Sequence, residues 1–358
     1  MKDIFEFAKL GDKTPAELGY YFPAEFAPHT ATWLSWPHKE GSWPGKLETI
    51  FAPYSEFIKY VALGEIVNIN VADEAMKAFA LLHLEEAGVN LANIRFHFFP
   101  TNDAWCRDHG PAFLINPDAD VKKVLVKWNY NAWGEKYPPH DLDNQIPIKI
   151  AEELGIPCFK PNIVMEGGAV EFNGKGTLLT SEACLLNENR NPHLRRDQIE
   201  RYLQDYYGVN QILWVGDGIV GDDTDGHIDD ITRFVSEDTV LTAVEENIAD
   251  ENYKLLQGNL DRLHKMRLTD GKQLNVVELP MPSPVIWDDQ RLPASYANFY
   301  IANHAVVVPT FRDDKDQKAL DIISHCFPDR KVVGVDSTDI IWGLGSFHCL
   351  SQQEPAVQ

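Results

Sequence analysis

The sequence predicts an α/β protein that is built from a repeated β-β-α-β unit. Three observations support this fold class. Amphipathic helices alternate with short buried strands, similar strand pairs lie between them, and polar clusters recur at the same place in successive units. The chain of 358 residues is 44% hydrophobic and 24% charged, which is typical of a globular protein with a large core.

Five helical segments show apolar residues at spacings of three and four, and an apolar run that is typical of a buried strand follows each of them. The helices are expected at 73–88, 143–155, 195–208, 250–266 and 314–327. The runs that follow them are IRFHFFP, CFKPNIV, QILWVGD, LNVVELP and KVVGVDS.

Strand pairs that resemble one another lie between these helix–strand segments. Residues 170–182 (VEFNGKGTLLTSE), 232–244 (TRFVSEDTVLTAV) and 299–311 (FYIANHAVVVPTF) align without gaps, and 111–128 is a version with a longer loop. Each pair has an apolar strand, a polar turn and a second apolar strand. The agreement of register and order favours a true repeat over chance similarity, and such periodicity is typical of closed or stacked architectures.

Polar clusters follow the last strand of four successive units. They read WCRDHGP, MEGG, GDDTDGHIDD and GLGSFHC. In a closed array, equivalent positions of the units converge on the central axis. The repeat therefore predicts that five side chains meet there: Asp108, Glu166, His227, Asp229 and Cys349.

This set of residues is suited to covalent chemistry on a cation. Cys349 would attack as its thiolate, and His227 can move protons near neutral pH. Three carboxylates around a thiol oppose its ionisation unless the ligand is positively charged. A guanidinium offers donors in a planar fork that carboxylates accept in pairs, and its charge would favour the thiolate. The net charge of −22 also suits a small cationic substrate, although solubility alone can account for it.

Local geometry refines this prediction. If HID is a strand, His227 and Asp229 point to one face, whereas His348, next to Cys349, points away from the thiol and is given no catalytic role. Each short motif taken singly is more often turn chemistry than catalysis. An EF-hand is excluded because Gly221 and Thr232 occupy two of its ligand positions. A zinc site and a papain-like protease lack their sequence signatures.

Composition also narrows the class of protein. The chain has no basic patch, which argues against nucleic acid or an anionic membrane as partner, and its apolar runs are too short to span a bilayer. Its start lacks the apolar region of a signal peptide. The five cysteines are widely spaced and form no CxxC pair, which favours reduced thiols over a disulfide framework. We therefore expect a cytoplasmic protein; a homo-oligomer is compatible with these features.

Four ordered motifs resemble the agmatine deiminases and the related bacterial peptidylarginine deiminase-type proteins: WCRDHGP, MEGGAVEFNGKGTLLTSEACLLNENRNP, DDTDGHIDDITRFV and GSFHCLSQQEP. The resemblance starts at YYFPAEFAPHTATWLSWPH and covers nearly the whole chain. It implies one catalytic domain over 1–358 with the pentein fold, a five-bladed α/β propeller of ββαβ repeats with pseudo-fivefold symmetry. It also implies that neither a metal nor an organic cofactor is needed.

The resemblance assigns roles by position. Cys349 corresponds to the nucleophile and His227 to the general acid and base. Asp108 and Asp229 correspond to the carboxylates that hold the guanidinium, and Glu166 to the acid that supports the histidine.

Other positions correspond to the substrate pocket or to packing. Trp105 matches the aromatic residue that lines the alkyl chain of the substrate, and Trp133 is a second candidate for that pocket. Gly345 in GLG would allow a small ligand to approach the backbone closely. Cys106, inside the first motif, is interpreted as a packing residue.

The implied reaction is hydrolysis of agmatine to N-carbamoylputrescine and ammonia through an amidino-cysteine intermediate. Three alternatives stay open. Two of them are a deiminase of peptidylarginine or free arginine and an amidinotransferase on the same scaffold. The third is a non-catalytic binding protein.

Overall fold

The computed structural model describes residues 12–357, in which the chain forms eighteen strands and six helices of nine or more residues. The strands are His29–Ser35 (β1), Ile66–Asn70 (β2), Ile94–His97 (β3), Ala112–Ile115 (β4), Lys123–Val126 (β5), Cys158–Phe159 (β6), Val170–Phe172 (β7), Thr177–Ser181 (β8), Gln211–Val215 (β9), Thr232–Phe234 (β10), Thr239–Val244 (β11), Asn275–Pro280 (β12), Ile286–Trp287 (β13), Gln290–Arg291 (β14), Tyr300–Ile301 (β15), Ala305–Thr310 (β16), Lys331–Asp336 (β17) and Ser351–Pro355 (β18). The helices are Leu47–Val61 (α1), Glu74–Glu86 (α2), Ile146–Leu154 (α3), Arg196–Tyr207 (α4), Glu251–Leu263 (α5) and Asp316–Cys326 (α6). Shorter helical turns lie between these elements.

Four three-stranded sheets repeat one topology. In each of them, an antiparallel strand pair is followed by a helix and by a third strand that runs parallel to the second. The four units are β4-β5-α3-β6, β7-β8-α4-β9, β10-β11-α5-β12 and β15-β16-α6-β17. The repeated β-β-α-β unit and all four strand pairs predicted from the sequence are therefore confirmed.

A further sheet joins the two ends of the chain. Its strand order is β18-β1-β2-β3, with β18 antiparallel to β1 and the other neighbours parallel. Leu34 pairs with Ser351 and His29 with Pro355. Within residues 12–357, the last strand thus completes the sheet that the first strand begins, and Cys349 lies in the turn just before that last strand. A hairpin of β13 and β14 is inserted between β12 and β15.

Helix α4 shows why these segments adopt their structures. Ile199, Leu203 and Tyr207 recur every four residues, and this face is buried against Leu178 of β8. The helix ends at Gly208, whose φ of 68° suits glycine, and a Cβ there would lie 2.3 Å from the carbonyl oxygen of Tyr20. The central strand of each repeated unit has neighbours on both sides, so β8 and β16 read as continuous apolar or small residues.

A buried ion cluster connects different sheets. The guanidinium of Arg233 in β10 donates to Glu171 of β7 at 2.9 Å and to Glu25 at 2.9 Å. It also donates to the carbonyl oxygens of Ala297 and Phe299, which lie just before β15. Arg233 is fully buried. Because a buried charge is stable only when it is paired, this arginine fixes how the sheets pack.

No helix in residues 12–357 combines the length and the apolar composition that crossing a bilayer requires.

We expect Arg233→Met to lower the free energy of unfolding by about 3–5 kcal/mol, because it leaves the buried Glu171 without its cation and removes one of the three cations around Glu25. Urea denaturation followed by fluorescence measures this change. Arg195→Met is the matched control, since Arg195 and its partner Asp197 are exposed, and it should leave the unfolding midpoint unchanged. Equal midpoints for both variants would contradict the role given to Arg233.

Candidate active site

Chain segments that follow the third strand of four of the five large sheets meet at one place. Asp108 follows β3, Glu166 follows β6, His227 and Asp229 follow β9, and Cys349 follows β17. The structure thus brings together all five residues that the repeat predicted. Each of them is at most 5% exposed.

His227 lies at the centre of the carboxylates. Its Nδ1 is 3.7 Å from Oδ1 of Asp108 and 4.0 Å from Oδ1 of Asp229, and its Nε2 is 3.9 Å from Oε2 of Glu166. Burial alone would lower the pKa of His227, but Asp108, Cys184 and Glu166 outweigh it and raise that pKa well above its ordinary value. The imidazole is therefore held in its protonated form near neutral pH.

Several buried polar atoms of this group face one another without hydrogen bonds. Both ring nitrogens of His227, Oε2 of Glu166 and Oδ1 of Asp229 find no partner among residues 12–357. Leaving such atoms unpaired is costly. The two unpartnered carboxylate oxygens indicate that a ligand with N–H donors completes the site.

A strained turn positions Asp108. Its Oδ1 accepts from the backbone N–H of Gly168 at 3.0 Å, and its Oδ2 accepts from Nε1 of Trp133 at 3.0 Å. Trp133 lies in a left-handed turn, since φ is positive at every residue of Ala132–Glu135. This conformation costs about 1–2 kcal/mol for each residue other than glycine. Strain of this size is typical of functional sites.

Glycine is required beside these carboxylates. A Cβ at Gly168 would lie 2.5 Å from Nδ1 of His227 and 2.9 Å from Oδ1 of Asp108. The second glycine of the EGG motif therefore has no room for a side chain.

Glu166 is ionised by a cation that the sequence prediction missed. Nε of Arg190 donates to its Oε1 at 2.7 Å, and both side chains are fully buried. Burial opposes ionisation, but Arg190 and His227 lower the pKa of Glu166 below its ordinary value. Arg190 lies within the NENRNP part of the second motif, so its sequence position was visible but its role was not.

The structure differs from two local predictions, one for the HID segment and one for His348. The HID segment is not a strand, because residues Ile228–Asp230 form a 3₁₀ turn. His348, expected to point away, instead contacts the site: its Nδ1 lies 2.6 Å from Oδ2 of Asp229 and its Nε2 lies 2.7 Å from Oε2 of Glu25. Two ionised carboxylates on one imidazole require a hydrogen on each ring nitrogen.

This contact accounts for the charge of Asp229. Burial would raise the pKa of Asp229, but the hydrogen bond from His348 and the charges of His348, His227 and Arg233 lower it below its ordinary value. By contrast, the pKa of Asp108 is raised to about 6, because burial and the neighbouring Asp229 and Glu166 outweigh His227. The two carboxylates therefore differ in how readily they take up a proton.

Cys349 is a thiol in this environment. Its Sγ lies 3.6 Å from Oδ2 of Asp229. Burial, followed by Asp229, Asp230 and Asp108, raises the pKa of Cys349 well above its ordinary value. Cys106 is also buried and its pKa is raised to about 12, chiefly by burial, which agrees with its interpretation as a packing residue.

A cleft of about 200 Å³ leads to Cys349 and Asp108. Trp105, Trp133 and Gly345 line it, as the sequence predicted, and a Cβ at Gly345 would lie 2.6 Å from the ring of Trp105 and 3.1 Å from Cβ of Cys349. The lining also contains further aromatic and acidic residues, namely Tyr137, Trp287, Trp342, Asp103 and Asp223. Lysine and arginine are absent from the described residues that line it.

Two groups of side chains near the site could offer ligands to a metal. They are Glu166, Cys184 and His227, and Asp229, Asp230 and Cys349. Each group supplies three atoms, one fewer than the tetrahedral shell of structural zinc, and Arg190 already bonds Glu166. Most residues of these groups belong to the acid–base residues described above, which accounts for their clustering.

Comparison with known proteins identifies the family. The sequence model of the Porphyromonas-type peptidyl-arginine deiminase family matches residues 21–355. The chain is 35% identical to an agmatine deiminase of Pseudomonas syringae pv. tomato, over 96% of this chain and 98% of that protein. The chain therefore belongs to the Porphyromonas-type peptidyl-arginine deiminase family.

Solved structures agree with this assignment. An agmatine deiminase of Enterococcus faecalis matches with a TM-score of 0.91 and 32% identity, covering 97% of this chain and 99% of that one. A Cys-to-Ser variant of the C. jejuni agmatine deiminase with substrate bound matches with a TM-score of 0.84 and 33% identity, covering 94% and 96%. A much more distant amidinotransferase from Microseira wollei, 13% identical with a TM-score of 0.52, shares the fold.

We expect Asp229→Asn to speed the alkylation of Cys349 by iodoacetamide at about pH 7, because it removes the nearest negative charge from the thiol. The rate is measured by mass spectrometry of the Cys349 peptide. Asp197→Asn, at the protein surface, should leave the rate unchanged. An unchanged or slower rate in Asp229→Asn would show that this carboxylate does not hold Cys349 as a thiol.

Proposed function

We propose that the protein is an agmatine deiminase, which hydrolyses agmatine to N-carbamoylputrescine and ammonia. The observation that carries this proposal is the set of unpartnered carboxylate and imidazole atoms around Cys349, at the end of an aromatic and acidic cleft. A guanidinium supplies the N–H donors that the unpartnered carboxylate oxygens of Glu166 and Asp229 lack. The relatives that are agmatine deiminases support the same substrate.

The cleft favours agmatine over substrates that carry a carboxylate. Trp105 and Trp133 offer apolar walls to the aliphatic chain. Asp103 and Asp223 place negative charge along the cleft, which suits the distal ammonium of agmatine. Two lysines lie nearby, but Lys136 already contacts Asp223 and Asp225, and Lys39 contacts Asp103 at 3.2 Å. Free arginine would bring its carboxylate into an acidic lining without a free cation.

The first half of the reaction forms a covalent adduct. Asp108 and Asp229 hold the guanidinium, whose charge favours loss of the Cys349 proton to solvent. The thiolate sulfur forms a bond to the guanidinium carbon. His227 then transfers its proton to one terminal nitrogen, the bond between that nitrogen and the carbon breaks, and ammonia leaves. An amidino-thioether remains on Cys349, and the raised pKa of His227 suits this acid step.

The second half releases the product. His227, now neutral, takes a proton from water, and the hydroxide forms a bond to the same carbon. The carbon–sulfur bond breaks, Cys349 leaves as its thiolate, and loss of one proton to solvent gives the ureido group. Of the two protons released to solvent in the cycle, one returns to Cys349 and the other converts ammonia to ammonium. Overall, the guanidinium substrate and water give a urea derivative and ammonium. Glu166 supports His227 from the side of Nε2, 3.9 Å away. No step uses a metal or an organic cofactor.

The architecture and the cellular setting complete the proposal. We propose that the five large sheets are the blades of a five-bladed pentein propeller, since β18 joins the sheet of β1 and the polar segments meet centrally. A cytoplasmic location is supported by five free cysteines, which suit a reducing compartment.

Peptidylarginine is the second candidate substrate, because the description of the family names it. Ammonia release from agmatine, free arginine and arginyl peptides separates these deiminases. Transfer of the amidino group to an added amine would reveal an amidinotransferase. A failure of all guanidino compounds to react would indicate a binding protein.

We expect kcat/KM for agmatine to exceed that for arginine by about 10³-fold or more, since the arginine carboxylate would be buried in an acidic cleft without a partner. Ammonia release with both substrates measures the ratio, and Cys349→Ser gives the background. EDTA should not change the rate. A preference for arginine or for an arginyl peptide would contradict the proposed substrate.

A further inference from the structure

We propose that Asn298 is a further catalytic residue, whose side-chain amide N–H stabilises the thiolate of Cys349. Its Nδ2 lies 3.0 Å from the Sγ of Cys349. Asn298 is 1% exposed and lies just before β15. This inference deepens the proposed function and rests on it, because it concerns the same nucleophile.

The orientation of the Asn298 amide is set by its other hydrogen bonds. Its Oδ1 faces the backbone N–H groups of His348, at 3.1 Å, and of Cys349, at 3.3 Å. Both of these groups are donors, so the oxygen must be on their side. The NH₂ group therefore faces the sulfur, and its donors reach Sγ of Cys349 and, at 2.9 Å, Oδ1 of Asp230.

Such a donor is useful because the charged groups that act on the sulfur are acidic, and a backbone hydrogen bond at Ser346 offsets them only in part. Asp229, Asp230 and Asp108 all oppose ionisation of Cys349. The bound guanidinium would offset them before attack. When the ureido product has lost its proton it is neutral, so the departed thiolate no longer has the positive charge of the substrate beside it. A fixed N–H dipole is in place at both moments and needs no rearrangement.

The position of Asn298 in the repeat supports a role at the site. Asp108, Glu166, the His227–Asp229 segment and Cys349 all follow the third strand of a unit. Asn298 occupies the corresponding place after β12, between that strand and the next strand pair. The unit that had no catalytic candidate thus contributes the donor to the nucleophile.

The test is the pH dependence of Cys349 alkylation by iodoacetamide in two variants. Asn298→Asp keeps an oxygen for the two backbone N–H groups but replaces the donor, and we expect the rate at about pH 7 to fall at least tenfold. Asn298→Ser removes the amide without adding charge, and we expect a fall of about three- to tenfold. Both profiles should move to higher pH, and kcat for agmatine should fall about 10²-fold.

Asn259→Asp is the matched control. Asn259 is also 1% exposed, accepts from the backbone N–H of Gly216 and donates to the carbonyl oxygen of Asp217, and it does not contact the sulfur. The Asn259→Asp variant shows how a buried carboxylate that does not face the sulfur affects folding. Its alkylation profile should match that of the unsubstituted protein.

A measurement on the unsubstituted protein does not depend on the folding of variants. With ¹⁵N-labelled asparagine, the Asn298 amide resonances should move as Cys349 titrates. Resonances that stay fixed, or Asn298→Ser alkylation equal to that of the unsubstituted protein at every pH, would overturn the inference. Alkylation does not need agmatine. A protein that shows these shifts but fails to turn over agmatine would therefore overturn the proposed function and leave the role of Asn298 intact.

Discussion

The rest of the site depends on the hydrogen bonds that the buried carboxylate of Glu25 accepts. Its oxygens accept hydrogen bonds from Arg107 at 3.1 Å, Arg233 at 2.9 Å and His348 at 2.7 Å. Burial would raise the pKa of Glu25, but these three cations lower it well below its ordinary value. Arg107 and His348 each adjoin a residue of the active site in sequence. One carboxylate thus holds the sheets together and also fixes the backbone that carries the proposed substrate-binding acid and nucleophile.

The same charge balance explains how a cysteine among aspartates can serve as a nucleophile. Without a ligand, burial and the acids keep Cys349 a thiol, so the site does not hold a reactive thiolate that oxidants or other electrophiles could attack. A guanidinium pairs with the unpartnered oxygens and adds the positive charge that ionisation needs. Under this account, substrate recognition and activation of the nucleophile are one electrostatic event.

The fold was largely predictable because its signals are local and repeated. The helix expected at 195–208 spans Arg196–Tyr207, and all four strand pairs form hairpins. The residues that meet centrally followed from their equivalent places in the units. Glu25 and His348 could not be predicted, since a single polar residue in an apolar segment shows no pattern until its partners are in place. Asn298 was easier to predict from the sequence, because it directly precedes the strand FYIAN in the aligned repeat.

Rapid-quench mass spectrometry during agmatine turnover shows whether Cys349 forms a covalent adduct with the substrate. The covalent mechanism predicts that the peptide containing Cys349 gains the mass of agmatine less ammonia. It also predicts that this species forms and decays at rates compatible with turnover and is absent in Cys349→Ser. Steady turnover without an adduct on Cys349, or an adduct on another residue, would contradict the covalent mechanism.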